Sequence, residues 1–327
     1  MNIMVTGASG FVGLNLLERL LAHGHRVTAV SADELPPAAR AELQMLPGKL
    51  EAARADVRDE DALDRLIRSG DVEAILAGAA ITSREERERA TPAEIFDVNL
   101  TAVVKLIALA ARRGVRRVIA LSSSAAMGDQ LFGDRPVTES DAPMPITLYA
   151  ISKAALESVA RRWASISPAR PEVAIARVAA VFGPWERDTG VRDALSPLHA
   201  IARAAVLGTP VAPLPGGGKR DWVYAPFVAA ALEWMLTAPR LVHCLYNVGA
   251  GATWHPREFA AALASCGVGI TEAADAPEIR FNDDVTRIRT YLEMQRLARE
   301  YQPPPAPGVA ALAYARWVAS HRTWLHA

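Results

Sequence analysis

A glycine-rich turn at the very start of the chain constrains the fold more than any other feature. Residues 2–6 are mostly apolar, and the turn Gly7-Ala8-Ser9-Gly10-Phe11-Val12-Gly13 leads into a helical pattern that continues to His23. Glycines allow a sharp turn and a close approach of the backbone to a phosphate, and a helix N-terminus supplies N–H donors. A strand, a glycine turn and a helix in this order predict a dinucleotide-binding βαβ unit.

The same alternation continues through the first half of the chain. Further apolar runs lie at residues 25–30, 50–57, 72–77, 115–122 and 172–178. Helical patterns lie between them, at residues 59–69, 91–113 and from Tyr149 to about 164. Short apolar strands that alternate with amphipathic helices predict an α/β fold, a Rossmann-type doubly wound parallel sheet with helices on both faces.

The pattern is weaker in the second half of the chain. After Phe182-Gly183-Pro184, segments rich in proline and glycine appear at residues 208–218 and 303–307. We therefore predict a dinucleotide-binding Rossmann domain at residues 1–178 and a smaller, irregular substrate-binding part at residues 179–327. Some segments of the second part are expected to rejoin the main sheet.

Composition excludes several classes of partner. Lys and Arg together number 36, as do Asp and Glu, so the formal net charge is zero and neither nucleic acid nor an anionic membrane is expected as a partner. No basic leader precedes the first strand, and no run reaches about 18 apolar residues, so we expect a cytoplasmic protein. The two cysteines and seven histidines have no ligand-like spacing, which predicts no metal site.

A tyrosine and a lysine four residues apart mark the middle of the chain. Tyr149 and Lys153 lie in helix-forming sequence, and this spacing puts both side chains on one helix face. An ammonium beside a phenol favours the phenolate, so a group with a pKa of about 10 becomes a usable base nearer neutrality. Upstream, Ser122-Ser123-Ser124 follows an apolar run and supplies hydroxyl groups.

Together these motifs resemble a known family. The glycine turn at residues 7–13, Asp97-Val98-Asn99, the serines, and Tyr149-x-x-x-Lys153 resemble the extended short-chain dehydrogenase/reductase family. Within it, the chain is most similar to the NAD-dependent sugar epimerases and dehydratases. The resemblance covers nearly the whole chain and is more specific for fold and cofactor than for substrate.

The resemblance implies a role for each catalytic residue. Tyr149 would act as the acid/base on a substrate hydroxyl, and Lys153 would bind the nicotinamide ribose and hold down the pKa of the tyrosine. Ser123 would stabilise the substrate oxygen, since it lies at the matching distance before Gly128. Ser124 is the alternative if the loop is one residue shorter.

The resemblance also implies a set of residues along the cofactor. The expected cofactor is NAD, although Ser31 at the end of the second strand tolerates either cofactor and leaves NADP open. No Arg or Lys is close to Ser31 in the sequence to pair with a 2′-phosphate. The cofactor-binding residues predicted in this way are Gly7, Ser9, Gly10, Phe11, Val12, Gly13, Ser31, Asp33, Asp56, Val57, Ala77, Gly78, Ala79, Asn99, Ser122, Tyr149, Lys153 and Val178.

The substrate side matches the family less well. The predicted substrate-binding residues are Thr82, Ser124, Arg187, Arg192 and Arg220. The family's dehydratases carry an acidic pair where this chain has Ser124 and Ala125, which argues against dehydration. Many nucleotide-sugar enzymes have an asparagine where this chain has Ala180, while Arg220 matches an arginine that binds a diphosphate and would equally suit a carboxylate.

Three functions follow from the resemblance, and the sequence leaves them open. The first is an NAD(P)-dependent epimerase of a sugar or nucleotide sugar, which acts by tyrosine-assisted hydride transfer to and from the nicotinamide. The second is an NAD-dependent dehydrogenase of a free sugar or sugar acid. The remote third is a cofactor-binding regulatory protein without activity. The helices near residues 91–113 and 147–166 resemble those that form a two-fold interface in the family, which predicts a homodimer.

Overall fold

Parallel strands form the centre of the protein, of which a computed structural model describes residues 1–82, 85–166, 170–190, 195–281, 286–287 and 289–326. The strands in the described ranges are β1 (Asn2–Thr6), β2 (Arg26–Ser31), β3 (Lys49–Arg54), β4 (Ala74–Ala77), β5 (Arg117–Ser123), β6 (Glu172–Val178), β7 (Ala180–Phe182), β8 (Trp222–Tyr224) and β9 (Leu245–Val248). Seven of these strands form the main sheet in the order β3-β2-β1-β4-β5-β6-β9, and β7 pairs separately with β8.

Helices cover both faces of the sheet. They are α1 (Phe11–Ala22), α2 (Pro37–Leu43), α3 (Glu60–Ser69), α4 (Glu85–Ala90), α5 (Pro92–Phe96), α6 (Ala102–Arg112), α7 (Leu148–Ile166), α8 (Pro197–Leu207), α9 (Ala225–Thr237), α10 (Pro256–Ser265), α11 (Gln295–Glu300) and α12 (Pro307–Ser320). Apolar side chains of α1 and α9 pack on one face, and those of α3, α6 and α7 pack on the other. Strands buried on both faces explain the nearly continuous apolar runs in the sequence.

The order of the strands reverses between β1 and β4. All neighbouring pairs in the main sheet are parallel, so every strand ends at the same edge. Connections from β1 run one way towards β3, and those from β4 run the other way towards β6. The reversal opens a crevice at the carboxyl ends of β1 and β4, which is where ligands bind in such sheets. The predicted doubly wound fold is confirmed.

The second half of the chain contributes to both parts of the structure. β9 pairs with β6 in parallel, and α9 packs against α1, so both belong to the main sheet and its helix layers. Phe182, Trp254 and Phe259 pack with residues of α8 and α12 in a separate apolar cluster. This half contains more helix than its sequence pattern indicates. The division at residue 178 stays a prediction.

The helix predicted at residues 91–113 is interrupted. It consists of α5, a π-helical turn at Asp97–Thr101, and α6. π-turns inside helices are frequent at functional sites. Here the turn contains Asn99, whose buried side chain reaches the backbone that follows β4.

Two further findings concern the described residues alone. None of their helices is long and apolar enough to cross a membrane. Within the same part of the chain, His, Cys, Asp and Glu side chains form no group of three that could hold a metal ion. The cytoplasmic location stays a prediction.

Candidate active site

A cavity of about 380 Å³ lies where the crevice of the sheet meets the first turns of α1 and α7. It brings together most of the residues that the sequence predicts for the site. The predicted residues that line it are Gly7, Gly10, Phe11, Val12, Gly13, Gly78, Thr82, Ser122, Ser123, Ser124, Tyr149, Lys153, Val178, Arg187 and Arg220. The predicted residues that do not line it are Ser9, Ser31, Asp33, Asp56, Val57, Ala77, Ala79 and Asn99. Arg192 lies outside the described residues.

The glycine turn has no room for larger residues at its two ends. Gly7 has φ +70°, and a Cβ atom there would lie 2.7 Å from the backbone nitrogen of Ala79. A Cβ on Gly13 would collide with the carbonyl oxygen of Gly7. The loop is therefore packed against the segment after β4, and its open side faces the cavity at the N-terminus of α1. This cradle fits the diphosphate of a dinucleotide.

Tyr149 and Lys153 stand one above the other on α7. The Lys153 Nζ atom lies 5.7 Å from the centre of the Tyr149 ring and donates a hydrogen bond of 2.9 Å to the carbonyl oxygen of Leu121. The side chain of Lys153 is buried, and this burial lowers its pKa to about 8. Tyr149 is half-buried, with its ring at the cavity. A buried cation at this position stabilises negative charge on the phenol oxygen.

The three serines at the end of β5 have different surroundings. Ser122 donates a hydrogen bond of 2.7 Å to the carboxylate of Glu157. The Ser123 oxygen accepts from the backbone N–H of Ala125 at 3.2 Å, which leaves its own O–H group able to donate. Ser123 and Ser124 both line the cavity beside Tyr149. Ser123 and Ser124 therefore stay the two candidates for the catalytic serine, while the Ser122 hydroxyl is held by Glu157.

A buried ion pair anchors the strand and the helix that carry these groups. Glu157 lies one turn beyond Lys153 on α7, and its carboxylate accepts from the Arg177 guanidinium at 2.9 and 2.6 Å. Both side chains are fully buried. Because Glu157 also binds Ser122, this one carboxylate joins α7 to β5 and β6. Glu157 is not among the residues predicted from the sequence, although its spacing of four residues from Lys153 puts both on one face of α7.

Asn99 supports the site from behind. Its side-chain amide accepts from the N–H of Ile81 at 2.8 Å and donates to the carbonyl oxygen of Ile81 at 2.9 Å. It also donates to the Ser152 hydroxyl, which in turn donates to the carbonyl oxygen of Tyr149. Asn99 therefore holds the segment after β4 against the first turn of α7. The structure gives it a positioning role.

The ends of β2 and β3 lie outside the lining of the cavity. Ser31 donates to the carbonyl oxygen of Asp33 at 2.8 Å, and the Asp33 side chain is exposed. The Nε atom of Arg54 donates to the carbonyl oxygen of Ala32 at 2.9 Å. A cation therefore does lie near Ser31, contributed by the next strand and not by neighbouring sequence. Beyond β3, hydrogen bonds from Arg58 lower the pKa of Asp56.

A larger cleft of about 1340 Å³ adjoins the cavity. Thr82, Tyr149 and Ser196 line both spaces, so the phenol lies at their junction. Glutamates of α4 form one wall of the cleft, and Arg203 lies on its lining as well. The Glu88 carboxylate accepts from the N–H of Leu148 at 2.7 Å and so caps the N-terminus of α7, immediately before Tyr149.

The predicted substrate-side arginines occupy different places. Arg220 is buried at the cavity with its guanidinium 5.4 Å from the Trp222 ring, and its burial, together with the charge of Arg289, lowers its pKa. A buried cation that lies close to a second cation favours the binding of an anion. Arg187 instead donates to the carbonyl oxygen of Ser9 in the glycine loop, at 3.2 Å.

Comparison with known proteins shows which family the sequence matches. Residues 3–249 match the model of the NAD dependent epimerase/dehydratase family. The chain is 31% identical over 313 residues to a UDP-glucose 4-epimerase of Mycolicibacterium smegmatis. The match covers 90% of this chain and 93% of that protein. It is 32% identical over 212 residues to sterol demethylase protein B of Methylococcus capsulatus. This match covers 64% of this chain and 60% of that protein.

Solved structures share the fold over the whole chain. A UDP-glucose-4-epimerase of Stenotrophomonas maltophila with bound NAD has a TM-score of 0.80 at 21% identity and covers 99% of both chains. A dTDP-glucose 4,6-dehydratase of Streptomyces venezuelae with NAD has a TM-score of 0.78 at 25% identity and covers 99% of this chain and 98% of that one. By its sequence and its fold, this chain belongs to the NAD-dependent epimerase/dehydratase family of the extended short-chain dehydrogenase/reductases.

Proposed function

We propose that this protein is an NAD-dependent epimerase of a sugar or nucleotide sugar. The observation that carries the proposal is that Ser123, Tyr149 and Lys153 line one cavity together with the glycine loop. The identity of 31% with a UDP-glucose 4-epimerase, over nearly all of both chains, supports a carbohydrate substrate. The cofactor of this family is NAD.

Each of the three side chains has a distinct task in this proposal. Tyr149 takes the proton of a substrate hydroxyl and returns it, while the Lys153 cation stabilises the phenolate and binds a ribose hydroxyl of the cofactor. Ser123 donates to the same substrate oxygen. Bound NAD supplies the acceptor for a hydride from the substrate carbon and can give that hydride back.

Epimerisation needs a ketone that can turn over before it is reduced again. The cleft of about 1340 Å³ beside Tyr149 provides space for this rotation. Dehydration needs further acid–base groups next to the catalytic hydroxyl. Ser124 and Ala125 occupy that part of the chain, which favours epimerisation over dehydration.

A specific residue favours a second candidate, an NAD-dependent dehydrogenase of a free sugar or sugar acid. Ala180 lines the cavity where nucleotide-sugar enzymes of the family often have an asparagine, and it offers no hydrogen bond. Arg220, at the same cavity, would bind a carboxylate by the same paired geometry as a diphosphate. In this case the oxidised product leaves, and the reduced cofactor must exchange.

A substrate panel separates these functions. Nucleotide sugars, free sugars, and aldonic and uronic acids would be incubated with the protein and NAD or NADP, with cofactor reduction and product stereochemistry followed together. An isomerised product without net NADH supports the epimerase, and net NADH supports the dehydrogenase. Bound cofactor with no conversion of any compound would contradict both and favour the regulatory protein.

The substitution Tyr149→Phe tests the role of the phenol. It removes the acid/base hydroxyl and keeps the ring against Lys153, so kcat should fall by about 10²- to 10⁴-fold. The amount of NAD bound per chain, measured after gel filtration, should not change. A variant that retains more than a tenth of the wild-type kcat would remove Tyr149 from this role.

We also propose a homodimer formed through α6 and α7. Ile151 and Ile166 on α7 are 38% and 56% exposed, which leaves apolar surface on a helix of the predicted interface. Light scattering should give twice the chain mass. Ile151→Glu together with Ile166→Glu should convert the dimer to a monomer, and a wild-type monomer would contradict the proposal.

A further inference from the structure

The segment that follows β7 crosses over the helix that begins at the glycine loop. The side-chain amide of Asn15 on α1 donates to the carbonyl oxygen of Pro184 at 2.8 Å. The Trp185 indole N–H donates to the carboxylate of Glu18, also on α1, at 2.6 Å. These two bonds fix the segment to α1 within two turns of the glycine loop.

The rest of the protein holds the same segment from the other side. Trp185 and Glu186 are both 1% exposed. The Glu186 carboxylate accepts from the N–H and the hydroxyl of Ser196 at 2.6 and 2.7 Å, and its carbonyl oxygen accepts from the Trp324 indole at 3.1 Å. Trp185 has φ +67°, a left-handed conformation that a bulky residue adopts only where its surroundings enforce it.

This enforced turn presents Arg187 to the glycine loop. Its Nη2 atom donates to the carbonyl oxygen of Ser9 at 3.2 Å, and its side chain lines the cavity together with Gly10 and Gly13. The Nε atom is buried and has no hydrogen-bond partner among the described residues. Burial lowers the pKa of Arg187, while the charges of Asp33 and Asp188 raise it.

A partly buried guanidinium with a spare donor, facing the N-terminus of a helix, favours an anion between the two. We propose that Arg187 binds the diphosphate of the dinucleotide, opposite the N-terminus of α1. It is thus a cofactor-binding residue in place of the substrate contact that the sequence suggests. The larger cleft, where the substrate is expected, does not include Arg187 in its lining.

The other phosphate that this arginine could meet is the 2′-phosphate of NADP, because Asp33 at the end of β2 is near enough to affect it. We favour the diphosphate because the direct contact of Arg187 is with Ser9 inside the glycine loop. The two sources differ in which ligands lose affinity when the guanidinium is removed.

Isothermal titration of the full chain with NAD, ADP-ribose and NADP tests the proposal. ADP-ribose shares the diphosphate of NAD and lacks the nicotinamide. Arg187→Ala should weaken NAD and ADP-ribose by the same factor, about 10- to 100-fold, since hydrogen bonds to charged groups are lost. Arg187→Lys should recover part of the affinity, as a point charge without the paired geometry.

Arg203→Ala is the matched control, because Arg203 is exposed on the lining of the larger cleft. It should leave the affinity for all three ligands within about twofold of wild type, whereas Arg187→Ala should not. Unchanged NAD affinity in Arg187→Ala would overturn the proposal. So would a loss confined to NADP, which would assign Arg187 to the 2′-phosphate. If Arg187→Ala lowers the melting temperature of the cofactor-free chain, the affinities of Arg187→Lys are compared with those of wild type instead.

Discussion

Two spaces meet at Tyr149 but are built in different ways: the groove, which is the cavity of about 380 Å³ at the glycine loop, and the cleft of about 1340 Å³ beside it. Behind the groove, Glu157 and Arg177 are fully buried and bond to each other, and the Glu157 carboxylate also accepts from the Ser122 hydroxyl. On the wall of the cleft, the exposed carboxylate of Glu85 pairs with Arg89 at 3.2 Å, with both side chains mostly in solvent. The ion pair in the first region is removed from solvent, whereas the one in the second region is hydrated.

This difference indicates which part of the function each region can change. A buried charge that loses its partner costs several kcal/mol, but an exposed ion pair contributes little. Substitutions at the cleft can therefore change the substrate preference without loss of the fold. The groove, whose supporting charges are buried, tolerates far less. The relatives include a UDP-glucose 4-epimerase and a dTDP-glucose 4,6-dehydratase, whose names differ in the nucleotide and in the reaction.

Loss of the buried carboxylate should give the largest effect. Glu157→Ala leaves Arg177 buried without its partner, so the free energy of unfolding should fall by about 3–5 kcal/mol. Glu86→Ala, on the exposed wall of the cleft, is the matched control and should change it by less than about 0.5 kcal/mol. Urea denaturation of both variants measures the difference. Equal effects would show that the two regions do not differ as described.

The buried Lys153 is expected to lower the free energy of unfolding while it serves the reaction. Burial lowers the pKa of Lys153 to about 8, from 10.5 in the unfolded chain. Lys153→Met should therefore stabilise the cofactor-free protein at pH 7, by up to about 3 kcal/mol, and abolish turnover. Between pH 8 and 10.5 the unfolded chain binds more protons, so wild-type stability rises with pH and the advantage of the variant shrinks.

Urea denaturation at pH 7 and pH 10 tests this pH dependence. Arg89→Met is a suitable control, because it removes an exposed cation whose ion-pair partner among the described residues is Glu85 at the surface. Its effect should be small and nearly the same at both pH values. A Lys153→Met variant that is less stable than wild type at pH 7 would contradict the assignment of a desolvation cost to Lys153.

The smallest expected effect is at the contact between the two regions. Glu88 of the cleft wall caps α7 beside Tyr149, so Glu88→Ala should lower the free energy of unfolding by about 1 kcal/mol. Because Tyr149 lies in the capped turn, kcat should fall as well, while the affinity for NAD stays the same. Glu88→Gln keeps an acceptor for Leu148 and should restore most of both. An unchanged kcat in Glu88→Ala would mean that the cap does not affect Tyr149.

The sequence predicts features that depend on neighbouring residues. The strands, the glycine loop and the Tyr149–Lys153 pair are set by local periodicity and spacing, and the structure has all of them. It does not predict contacts between distant segments. Arg187 meets Ser9 across 178 residues of chain, and Ser122 meets Glu157 across 35. Arg54 reaches the end of β2 only because β3 pairs with it.

The C-terminal half illustrates the same limit. Its helices α8, α10 and α12 bury apolar faces against one another around Phe182, so their stability depends on packing that a short window does not contain. The substrate remains a proposal for a related reason. The cleft is lined by side chains from several separate segments, and their combined shape is not readable from any one of them.

The proposed function requires that Tyr149 and its partners support a reversible hydride transfer in which the hydride does not leave the enzyme. A substrate from the panel, deuterated at the reacting carbon, tests it most directly in one turnover experiment with the wild-type chain and NAD. We expect an epimerised product that keeps its deuterium at the same carbon, with no net NADH. Replacement of the deuterium by solvent hydrogen would contradict the proposed hydride transfer, because the label would then have left the carbon as a deuteron, without transfer to the cofactor.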